Sequence, residues 1–106
     1  MKLLIDESLP QELPLHLSDH ETVTIPFRER ASKKNGELLR LASAEFDVLS
    51  TTDQNLEHQQ NVSSFEIAVM ILVAPSNRLD HLIPWLPRVR SLLSSVRPGH
   101  LYRVVI

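Results

Sequence analysis

Cysteine is absent from the 106 residues. That excludes disulfides, thiolate metal sites and thiol nucleophiles. Long hydrophobic runs are absent too. No apolar stretch approaches the roughly 20 residues a membrane span needs, so no membrane partner is expected. Lys2 is followed by an apolar run that stops at once in Asp6-Glu7, which is not the pattern of a signal peptide. With no internal repeat, one domain over residues 1–106 in the cytoplasm is the expectation. Lysine is scarce and early, at Lys2, Lys33 and Lys34, so no late strand of the chain can supply one.

What is present is an ordinary globular balance, 42% hydrophobic with a net charge of -2. That net value conceals an asymmetry. Residues 1–77 carry six Lys/Arg against twelve Asp/Glu, and residues 78–106 carry five arginines against Asp80 alone. The arginines Arg78, Arg88 and Arg90 are the candidate contacts to nucleic acid or to an acidic partner, with a solvated helix face as the plainer reading.

The chain opens with Leu3-Leu4-Ile5 and then Asp6-Glu7. A short apolar run of this kind predicts a strand buried on both faces, in a parallel sheet with helices on either side. In open α/β sheets ligands sit beyond the carboxyl ends of the strands, and Asp6 and Glu7 stand there. Ser8 and Gln11 have the spacing of a capping box. Leu9, Leu13 and Leu17 then form one stripe of a short helix, with a kink expected at Pro14. His16 and His20 have a metal-pair spacing but read as surface histidines. Glu21 to Ile25 is β-branched and predicts a second strand. Asn35 caps a second helix whose inward stripe is Leu38, Leu41 and Ala42. Asp47 to Thr51 is a third strand, and Glu66 to Val73 a central one. Residues 79–96 keep a helical period interrupted by Pro84 and Pro87. Tyr102 to Ile106 alternates as a final, edge-like strand. The sum is α/β: a three-layer sandwich around a mostly parallel sheet of about five strands.

Three separated segments bring acid toward one edge: Asp6 with Glu7, Glu37 in a helix's first turn, and Asp53 after the third strand. Carboxylates without cysteine or paired histidine favour a hard cation with oxygen ligands, Mg²⁺ or Mn²⁺. Such ions support hydrolysis of phosphodiesters. Because clustered like charges repel in the absence of metal, Asp6→Asn is expected to leave the fold intact or more stable.

An ordered series of motifs then resembles a known family. Leu3 to Pro10, Asn35-Gly36-Glu37-Leu38-Leu39, Phe46 to Leu56, Gln59-Gln60-Asn61 and Pro75 to Leu79 look like the small bacterial PIN-like domains of unknown function. The resemblance spans nearly the whole chain. It implies kinship with metal-dependent ribonucleases that act as toxins in toxin–antitoxin pairs, with RNA as substrate and an antitoxin protein as partner; a second copy of the chain is a further candidate partner. It also implies that Asp6 is the first-strand acid, Glu37 the helix-start acid and Asp53 the acid after the third strand. The chain departs from that pattern in two places. Arg28 to Lys34 stands where relatives have a glycine-rich stretch, and Asn55 stands where many have a second acid. Glu7, Glu29 and Asn55 are the auxiliary candidates.

Two readings compete with the nuclease. A non-catalytic module would keep the fold and bind RNA or protein. A phospho-acceptor receiver domain would use Asp53 as acceptor and Asp6/Glu7 for Mg²⁺, but it requires a lysine on a late strand.

Overall fold

The computed structural model describes residues 1–6, 8–10, 12–17, 20–25, 35–54, 56, 61–74 and 78–105, Asn35 by its backbone alone. Five strands alternate with helical segments. They are β1 (Lys2–Asp6), β2 (Glu21–Ile25), β3 (Val48–Thr51), β4 (Ala68–Val73) and β5 (Leu101–Val105). The α-helices are α1 (Asn35–Ser43), α2 (Leu79–Leu82) and α3 (Leu86–Leu93), and short 3-10 turns occupy Leu13–Leu17, Val62–Ser64 and Ile83–Trp85.

The strands form one sheet in the order β2-β1-β3-β4-β5. Every pairing is parallel, so the expected mostly parallel sheet is wholly so. The strand order reverses between β1 and β3. That is the switch point of a doubly wound sheet, where the connections leave on opposite sides and open a crevice.

Alternation along the strands divides the core in two. Leu3, Ile5, Val48, Met70, Leu72 and Val104 pack on one face against Leu13 and Leu17 and against Leu82, Leu86, Val89 and Leu93. Leu4, Leu49, Val69 and Ile71 pack on the other face against Leu38, Leu39 and Ala42. Three layers result, because β1, β3 and β4 each bury side chains on both faces, as parallel strands with crossover helices must.

The connections β2–β3 and β3–β4 cross the face that holds α1 and Val62; β1–β2 crosses the other. The last connection, through α2 and α3, lies on the same face as the first. The chain, however, moves along the sheet in the opposite direction there. Its crossover therefore has the opposite hand to the other three, an arrangement parallel sheets seldom adopt. This placement sets α3 beside the Leu13–Leu17 turn, where the Arg90 guanidinium donates to the His16 carbonyl.

Two expected details change. Leu13–Leu17 form a 3-10 turn rather than part of an α-helix. The Leu9, Leu13 and Leu17 stripe is buried as expected, but Pro14 at the second position lacks the N–H that a longer helix uses. In α1 the buried residues are Leu38, Leu39 and Ala42, while Leu41 is 48% exposed. The turn at Pro84 and Pro87 falls where expected: α2 gives way to the 3-10 turn Ile83–Trp85 before α3 resumes.

Candidate active site

Parallel strands deliver their carboxyl ends to one edge, and β1 and β3 are neighbours flanking the switch point. Asp6 is the last residue of β1 and Thr51 the last of β3. Both follow even steps from core residues of one face (Leu4 and Leu49), so both side chains fall on the α1 side of the sheet.

They meet there. Thr51 Oγ1 donates to Asp6 Oδ2 at 2.7 Å. Ser8 Oγ donates to the same oxygen at 3.1 Å. Each hydroxyl also accepts a backbone N–H from the loop after β3: Thr52 N–H reaches Ser8 Oγ at 3.2 Å, and Asp53 N–H reaches Thr51 Oγ1 at 3.0 Å. Asp6 is buried, at 3% exposure, and Thr51 at 1%. A carboxylate at that depth requires hydrogen-bonded partners, and the two hydroxyls supply them. The turn after β1 closes with Leu9 N–H on the Asp6 carbonyl, 3.0 Å. The effect is to staple the exits of β1 and β3 together and to hold the half-buried Asp53 next to them.

Ser8 was expected as a helix cap with Gln11. Its hydroxyl donates to Asp6, and its oxygen accepts the Thr52 N–H. Gln11 lies outside the described residues. So do the auxiliary candidates Glu7, Glu29 and Asn55, the stretches Arg28 to Lys34 and Pro75 to Asn77, and Gln59 and Gln60.

Glu37 occupies the first turn of α1, where a negative charge complements the helix dipole. It is exposed and borders a shallow hollow with Gly36, Arg40 and Phe65. It takes no part in the Asp6–Thr51–Ser8 network. Among the described residues, no three His, Cys, Asp or Glu side chains form a group that could hold a metal ion. The donor set at the switch point, carboxylate and hydroxyl oxygen, is nonetheless of the type hard cations take. Mg²⁺ is commonly held through one or two carboxylates, with water and substrate phosphate completing its shell. Asp6 and Asp53 suit that role in kind.

The three arginines separate. Arg78 forms a two-point pair with Asp80, 3.2 Å at each contact and exposed. Arg90 is committed to the His16 carbonyl. Arg88 lies over the Trp85 ring, 5.9 Å from its centroid, and lines a cavity between α3 and β5. One arginine not singled out in the sequence stands nearer the acidic edge. Arg103 of β5 is in register with Ile71 of β4, which is in register with Thr51. Its Nη2 donates to Gln54 Oε1 at 3.3 Å, beside Asp53. Only strand register reveals this, since 49 residues separate the two side chains.

No helix among the described residues is long and apolar enough to cross a membrane. Comparison with protein-family models, with curated proteins and with solved structures finds no match.

Proposed function

We propose that this chain is a PIN-like, Mg²⁺- or Mn²⁺-dependent ribonuclease, the toxin member of a toxin–antitoxin pair. The observation that carries the reading is the delivery of Asp6 and Asp53 to the switch point by β1 and β3, with their turns joined through Thr51 and Ser8. The motif series from Leu3 to Leu79 supports the same reading. Asp6 and Asp53 would hold the cation. When bound, the ion polarises a phosphoryl oxygen and lowers the pKa of its water. The protein's own part is positioning. The hydroxyl network fixes Asp6, the turn of the main chain at Thr51 fixes Asp53, and the flanking strands prevent both from drifting. Glu37, at the head of α1, would orient water or substrate.

A second reading has one observation in its favour. Two hydroxyls occupy Asp6 Oδ2, which suits a carboxylate that holds the fold together in a non-catalytic RNA- or protein-binding module. The receiver-type alternative gains the strand order, which such domains share, but β5 carries Arg103 and no lysine.

The test is cleavage of a mixed RNA pool with Mn²⁺, comparing the parent with Asp53→Asn and Asp6→Asn, each first verified as folded. Cleavage by the parent alone, abolished by chelation, is the expected result. Metal-independent cleavage, or equal cleavage by all three, refutes the mechanism. No cleavage by any of them selects the binding module.

A further inference from the structure

The strongest unassigned feature is the groove along the open edge of the sheet. β5 is the terminal strand, and α3 runs beside it. Between them lies a cavity of about 450 Å³, within the range of ligand sites. Arg88, Ser91 and Ser95 line it from the helix side, at helical spacing, and Tyr102 and Arg103 from the strand. Arg88, Ser91, Ser95 and Tyr102 offer guanidinium and hydroxyl donors beside Leu92, Leu101 and Val104, and among the described residues no carboxylate lines it. Arg88 has no carboxylate partner among the described residues; its contact is the face of Trp85. That stacking orients the guanidinium without neutralising it.

The groove also has a direction. α3 packs antiparallel to β5, so Ser95 and Leu101 mark one end and Arg88 and Val104 the other. The second end is the carboxyl edge. There Arg103 stands level with Thr51, two strand spacings away, about 10 Å, and its hydrogen bond to Gln54 ties the groove's rim to the loop of Asp53.

We infer that this groove holds the phosphodiester backbone of single-stranded RNA and guides it to the acidic edge. Arg88 contacts phosphate, the serine hydroxyls contact phosphate or ribose, and Tyr102 offers an aromatic surface of the kind single-strand binders use. Arg103 positions the loop that carries Asp53. The inference rests on the ribonuclease reading for its substrate class, but not for its test.

The probe is a fluorescein-labelled 12-nucleotide RNA in EDTA, where metal-dependent cleavage is off. Anisotropy is read across a salt series for the parent, Arg88→Glu, Arg88→Lys and Arg78→Ala. For the parent, log K should fall linearly with log salt. Arg88→Glu should weaken binding by about tenfold or more and reduce the salt slope by about 0.7, the contribution of one phosphate contact on a single strand. Arg88→Lys should restore the slope, and Arg78→Ala should match the parent. Binding by Arg88→Glu equal to the parent overturns the groove even if Asp53-dependent cleavage is found. Arg88-dependent binding in a protein that never cleaves leaves the groove standing and removes the nuclease. Failure of the parent to bind RNA, or Arg88-dependent binding of a poly-glutamate peptide in its place, overturns the inference; the second outcome identifies the groove as a seat for an acidic protein.

Discussion

At the scale of single residues, Asp6 and Thr51 carry the most. Thr51 is a donor to Asp6 and an acceptor from the Asp53 N–H at once. Thr51→Val keeps the shape and removes both bonds. It leaves a buried carboxylate short of one partner and a backbone N–H short of another, a loss of about 1–3 kcal/mol. The expected result is a melting temperature lower by several degrees at least, recovered largely by Thr51→Ser. An unchanged melting temperature would mean that the network adds nothing to stability. The same geometry reverses the expectation for Asp6→Asn drawn from charge repulsion. An amide replaces an ionised acceptor of two hydroxyls with a weaker one, so a fall of about 1–3 kcal/mol in unfolding free energy is expected by denaturant titration. An increase would restore the repulsion argument.

Secondary-structure elements show where a helical stripe and a single turn are decided. Leu39 is fully buried in α1, and its neighbour Leu41 is 48% exposed. Leu39→Ala should cost about 2–5 kcal/mol, the usual range for a truncated core leucine. Leu41→Lys should stay within about 0.5 kcal/mol of the parent. Comparable losses from the two would place the wrong face of α1 against the sheet. Gly99 enters β5 at φ +79°, and a Cβ there would meet only ordinary contacts of 3.5 Å. The cost of Gly99→Ala is therefore conformational, about 1–2 kcal/mol from the left-handed backbone. A neutral Gly99→Ala would show that the turn relaxes to another conformation.

Across the whole molecule, one doubly wound sheet places acid at its switch point and sets Arg88 and Arg103 along its β5 edge. The radius of gyration, 12.5 Å, is close to the value of about 13 Å expected for a single compact domain of this length. A cation that binds only the folded state must stabilise it, by about 2.7 kcal/mol at a hundred times its Kd. Millimolar Mn²⁺ should therefore raise the melting temperature of the parent and not that of Asp53→Asn. Equal shifts in both proteins would place the ion elsewhere.

The division between sequence and tertiary structure follows the range of the interactions. Local pattern was enough for the five strands, for the two-faced burial of β1 and β4, and for the break at Pro84 and Pro87. Each rests on periodicity or on a proline's missing N–H within a few residues. It was also enough to place Asp6 and Asp53 at strand ends, because a polar residue closing an apolar run marks the edge. It did not distinguish Leu41 from Leu39 in a helix of only nine residues, where either stripe fits the period and the packing partner decides. It gave no sign of the bond from Ser8 to Asp6, which forms where the turn after β1 brings the hydroxyl to the buried carboxylate. Strand order, the hand of the last crossover, the Asp6–Thr51 bond across 45 residues and the alignment of Thr51, Ile71 and Arg103 belong to the tertiary structure alone. They are set by which strands lie side by side and in what register, and that choice is made by packing both faces of the sheet at once.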